Sequence, residues 1–171
     1  MIRASWTPGA SIEATLELWA SSLREVKGRM RPLFTQERVA ASAGAFLDGL
    51  LGAERRKTGW MRAEAAGDPG PWRQKAVLGR GRWDADALRD VVRDYALETL
   101  AAVEGQRWAI EDAFETAKTE LGLAHNETRS WHGWHRHVSL VMMAFALLAV
   151  TRHHANAPPP KRRARPRLPA R

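Results

Sequence analysis

Cysteine is absent from the sequence, which excludes disulfides, a thiol nucleophile and thiolate-held metal and suits a reducing cytoplasm. A long hydrophobic run is missing too. The longest, Val138 to Val150, falls short of the roughly 20 apolar residues that cross a bilayer, so no membrane partner is expected. Met1 to Trp6 shows no apolar run behind a basic segment, and no signal peptide is expected. No stretch reads convincingly as a strand, and no internal repeat is visible. Charge is scarcer than the formal +8 suggests, because seven Lys or Arg and no acid fall between Arg152 and Arg171, which leaves the preceding body nearly neutral.

What is there is helical periodicity in a chain of 171 residues, enough for one domain with a modest core. Ser11 can cap a helix whose apolar face is Ile12, Leu16, Trp19, Leu23 and Val26, stopping near Gly28. After Pro32, Thr35 can cap a second, with Val39, Ala43, Phe46, Leu47, Leu50 and Leu51 inward and Gly52 at its end. Glu54 to Ala66 reads as a third, closed by Gly67-Asp68-Pro69-Gly70-Pro71, which cannot remain helical. Trp72 to Arg82 is basic and interrupted by Gly79 and Gly81, so it reads as a turn of helix within a loop.

Asp84 caps the next helix, with Leu88, Val91, Val92, Tyr95 and Leu100 inward. On its outer face Asp86, Asp90 and Asp94 stand beside Arg89 and Arg93, which reads as a salt-bridged surface rather than a metal site. Arg107 to Leu121 and Trp131 to about Arg152, the latter capped by Ser130, complete an all-α, irregular bundle of about six helices. The Pro- and Arg-rich residues 154–171 are expected to form a disordered basic tail. The tryptophans beside basic residues (Trp60, Trp72, Trp83, Trp108) read as core or interface anchors.

Two blocks resemble one family, the DDE transposases of insertion sequences with an RNase H-like endonuclease core. The first, from about Trp19 to Leu100, includes Glu54-Arg55-Arg56-Lys57-Thr58-Gly59-Trp60 and Trp83-Asp84-Ala85-Asp86 and is similar to that family's helical N-terminal region. The second, Arg107 to Arg152, is similar to its last catalytic segment, in which an R-x-x-x-E-x-x-x-x-x-x-K pattern carries the third carboxylate. The resemblance divides the chain into a DNA-binding region 1–103, a catalytic remnant 104–153 and the tail 154–171. It makes Glu111 the remaining catalytic acid and Arg107, Lys118, Arg129 and Arg136 DNA contacts, to which the charge of the basic tail adds Lys161, Arg162 and Arg163. Only Ala101 to Gln106 stands where the family has a sheet and two catalytic aspartates.

The chemistry implied is two-metal phosphoryl transfer with Mg²⁺. Two divalent ions about 4 Å apart repel by roughly 17 kcal/mol at an effective dielectric near 20, and one glutamate cannot offset that. The reading is therefore a truncated remnant without strand transfer, binding no productive metal or other cofactor, that retains weak DNA binding and mixes with intact copies or self-associates. Without the resemblance, Arg107, Glu111 and Lys118 form a polar ridge along an amphipathic helix, worth about 0.3 to 0.5 kcal/mol per ion pair. The spacing of His132, His135 and His137 is poor for zinc. The alternative reading is a helical protein-interaction module without a DNA role, docking through Leu140, Val141, Phe145, Leu147 and Leu148.

Overall fold

The computed structural model describes residues 11–100 and 108–156, and of residue 100 and residues 108–113 the backbone alone. Seven α-helices are present among these residues: α1 (Ile12–Met30), α2 (Glu37–Leu51), α3 (Gly59–Ala65), α4 (Trp72–Gly79), α5 (Ala85–Leu100), α6 (Trp108–Thr119) and α7 (Trp131–Asn156), with 3-10 turns at Arg31–Leu33 and Leu123–His125. The all-α class stands as expected. The resemblance to a DDE transposase does not, because an RNase H-like core is built on a central β-sheet and no strand occurs among the described residues. The segments 1–10, 101–107 and 157–171, with Arg107, Lys161, Arg162 and Arg163, lie outside the described residues.

Local signals explain most helix starts. The Ser11 hydroxyl accepts from the Ala14 N–H at 3.2 Å and Ser130 from the Gly133 N–H at 3.0 Å, each filling one orphan donor of a first turn. The Asp84 carboxylate does the same for Asp86 N–H at 2.8 Å. Elsewhere the expected boundaries move. α1 continues past Gly28 to Met30, and α2 begins after Gln36 rather than Thr35, whose hydroxyl instead donates to the Arg82 carbonyl at 3.3 Å. The third helix starts only at Gly59, because the Thr58 hydroxyl caps it and the Lys57 N–H donates to His125 Nδ1 at 3.1 Å. α6 spans Trp108 to Thr119, and α7 runs four residues beyond Arg152.

Helix α7 is the centre of the bundle, packed by α1, α2, α4, α5 and α6. Its residues Leu140, Val141, Met143, Ala144 and Leu147 are completely buried. This overturns the expectation that Leu140, Val141, Phe145, Leu147 and Leu148 form an outward docking surface: Phe145 and Leu148 are partly buried against the same core. A helix apolar nearly all round has found its partners within the chain. By length and composition alone α7 suffices to cross a membrane, yet almost half of its most apolar window is sealed inside the bundle. Ion pairs tie the outer helices, with Lys27 to Asp48 joining α1 to α2 at 2.6 Å and Arg29 to Glu98 joining α1 to α5 at 2.6 Å.

One side of the core is polar. Arg62 is 4% exposed; its guanidinium lies 4.0 Å over the Phe46 ring and donates to the Lys57 carbonyl. Burial pulls its pKa down to about 10, opposed by the nearby Glu127. The Lys57 ammonium, also buried and with its pKa lowered by burial, donates to the Gly52 carbonyl. Next to them His137 is 1% exposed, with Nε2 3.1 Å from the Gly122 carbonyl. A carbonyl can only accept, so Nε2 carries a proton and donates it to Gly122. Burial, with a smaller contribution from Arg62, lowers its pKa to about 4.

The unfolded chain takes up a proton on this histidine near pH 6.5, whereas the folded chain resists until about pH 4. Its contribution to stability is therefore full above the unfolded value and is lost as the pH falls through that window, by up to about 3 kcal/mol. Urea midpoints measured from pH 7 to pH 4 are expected to decline, and His137→Gln to flatten the decline. A wild-type midpoint independent of pH over that range would contradict this environment.

Candidate interaction cleft

A cleft of about 580 Å³ opens between the first turns of α2 and the length of α4. From α2 come Arg38, Val39 and Ser42, which recur at helical spacing on one face; from α4 and the segment after it come Trp72, Arg73, Ala76, Val77, Arg80 and Arg82. The floor is apolar and the rim cationic. Arg73 is paired with Asp68 at 2.7 Å. Among the described residues Arg38, Arg80 and Arg82 have no carboxylate within salt-bridge distance, and Arg38 Nε donates only to Gln36 Oε1 at 3.1 Å. Trp72 is 73% exposed at one edge. Its indole shares the Gly70 turn with the exposed Trp60: a methyl placed on Gly70 would lie 3.3 Å from Trp72 Nε1 and 4.0 Å from Trp60 Cη2.

The segment bearing Arg80 and Arg82 is irregular but fixed. Both Arg80 and Gly81 N–H groups donate to the Ala76 carbonyl, at 2.9 and 2.7 Å. Trp83 is buried, stacks at a tilt on Phe34 with centroids 5.3 Å apart, and donates from Nε1 to the Val77 carbonyl at 2.7 Å. Arg136 reaches over from α7, lies 5.2 Å above the Trp83 ring, and donates to the Leu78 carbonyl at 3.1 Å and the Trp83 carbonyl at 2.9 Å. Burial lowers its pKa. Arg136, which the resemblance made a DNA contact, thus holds the cleft's back wall with donors already committed to carbonyls.

The other expected site residues are not gathered at one place. Lys118 on α6 and Arg129 before α7 are exposed, and the side chain of Glu111 is not described. On α5 the acids are spoken for, with Arg89 to Asp86 at 2.9 Å and Arg93 to Asp90 and Asp94 at 3.4 and 3.1 Å. No group of three His, Asp or Glu poised to hold a metal exists among the described residues. His132, His135 and His137 diverge around α7: His132 is exposed, His135 packs edge-on to Trp131 with centroids 4.3 Å apart, and His137 is buried.

Trp83 is the core anchor that was expected, while Trp60 and Trp72 stand out into solvent. Sequence reasoning passed over Arg38 and Arg73. The signal that could have found the cleft was the density of arginine between Trp72 and Arg82, set aside because Gly79 and Gly81 suggested a loop. Comparison with protein-family models, curated proteins and solved structures found no match to this chain. With no sheet among the described residues and no family match, the chain is not assigned as a transposase remnant, and the DDE endonuclease chemistry and the role in transposition fall with that assignment.

Proposed function

We propose that the chain is a helical protein-interaction module that docks a partner in the α2/α4 cleft. The observation that carries this reading is the set Arg38 on α2 and Arg80 and Arg82 on the clamped segment, unmatched by carboxylates among the described residues, around an apolar floor of Val39, Ala76 and Val77. Cations carried on an ordered backbone favour an acidic partner, because the ordering cost of that backbone is met in the free protein. The exposed Trp60 and Trp72 add the aromatic anchors that are enriched at interfaces. Three acids, Glu37, Asp68 and Asp84, lie close in sequence to the cleft's arginines, which disfavours a polyanionic phosphate track. The module works in an aqueous compartment, with α7 as the centre of its bundle.

Site-specific photo-crosslinking tests the proposal. A photoreactive residue in place of Trp72 is expected to give one discrete protein adduct, and the same residue in place of Arg93 on the outer face of α5 none. Adducts with nucleic acid from position 72, or equal labelling from both positions, would overturn it.

A further inference from the structure

Resting on that reading, we infer that the partner is a second copy of this chain, whose exposed start of α1 seats in the cleft to give a head-to-tail assembly. The start of α1 carries the complement of the cleft. Ile12 and Leu16, one turn apart, are 69% and 62% exposed, unusual for large aliphatic side chains. Glu13 and Glu17, also one turn apart, lie on the adjoining face and have no cation within salt-bridge distance among the described residues. Two carboxylates flanking two aliphatic side chains match three unpaired guanidiniums around an apolar floor. The α5 acids are a poorer match, being already paired with Arg89 and Arg93.

A single chain cannot make this contact with itself. The 19 residues of α1 separate its two ends by about 28 Å at 1.5 Å per residue. Arg31 pairs with Glu37 at the far end, so the first turn of α2, and the cleft with it, stands away from Ile12. Complementary patches on different parts of one molecule make a heterologous contact, which propagates as a ring or an open chain rather than closing as a two-fold dimer.

The test uses the full chain in sedimentation velocity. The wild type is expected to associate with rising concentration and to dissociate as salt increases from about 50 to 500 mM, as screening of the charge pairs requires. The pair Glu13→Arg/Glu17→Arg, and separately Arg80→Glu/Arg82→Glu, is each expected to weaken association by about tenfold or more. All four positions are exposed, and far-ultraviolet circular dichroism confirms that the variants fold. Mixing the two variants offers the intact α1 of one to the intact cleft of the other, and the two reversed patches again carry opposite charges, so association should return in the mixture. A wild type that stays monomeric, association indifferent to both reversals, or a mixture that behaves as two monomers would overturn the inference. A discrete crosslink from position 72 to a different protein, with the wild type monomeric, would overturn self-docking while leaving the module reading in place.

Discussion

Phe46→Ala is expected to lower the unfolding free energy by about 4 kcal/mol. The ring is completely buried in α2 and is shared by two polar neighbours, the Arg62 guanidinium 4.0 Å over one face and His137 edge-on with centroids 6.2 Å apart. Truncation therefore opens a cavity and also takes the π face from a cation already removed from water. Phe46→Leu separates the two effects: it restores most of the volume and none of the quadrupole, and is expected to recover about half of the loss. Urea denaturation with an unchanged slope measures both. Because a domain of this size is stable by only about 5 to 15 kcal/mol, the alanine variant should be marginal at 37 °C. An alanine variant within 1 kcal/mol of wild type would contradict the described packing.

Gly122→Ala is expected to be nearly as damaging, about 3 kcal/mol, through backbone strain and overpacking together. The residue has φ +71°, a left-handed conformation that side chains resist, and an added Cβ would stand 2.4 Å from Lys57 Cβ and 2.6 Å from its Cγ. Lys57 cannot yield easily, since it is 2% exposed and fixed at both its backbone N–H and its ammonium. The Gly122 carbonyl is also the acceptor for His137. Gly67 supplies the control, with φ +69° and nothing within 4 Å of an added Cβ. Gly67→Ala should show the strain alone, about 1 kcal/mol, so the difference between the two midpoints measures the collision with Lys57. Equal losses would mean that the space around Gly122 is open.

The parts of the fold that could be read in the sequence are those decided by neighbours in the chain. Ser11, Asp84 and Ser130 cap because their side chains reach N–H groups two or three residues on. The aspartate and arginine rows of α5 pair as their helical spacing dictates. What could not be read was decided from afar. Lys57 keeps Glu54 to Lys57 out of a helix through a ring nitrogen 68 residues away. The segment from Trp72 becomes helix α4 despite its glycines because Gln74, Val77 and Leu78 are buried against α2 and α7.

The candidate site was less legible still. Arg136 has the composition of a phosphate contact, and only carbonyls 58 and 53 residues distant turn it into a clamp. Apolar residues all round α7 give no periodicity from which to tell an outward face, so a docking surface was placed where the core lies. The R-x-x-x-E-x-x-x-x-x-x-K spacing of Arg107, Glu111 and Lys118 is one that any amphipathic helix produces, and it could carry a family resemblance no further than the fold allowed.

The position of α7 at the middle of the bundle has a consequence for how the chain acquires its shape during synthesis. The helices that enclose α7 all precede it in sequence. Until the ribosome has delivered the residues up to about 150, the earlier helices can pack on one another only in part, and the apolar faces that α7 covers stand open to other nascent chains. Completion of the core thus waits on a rod that is made after the helices enclosing it.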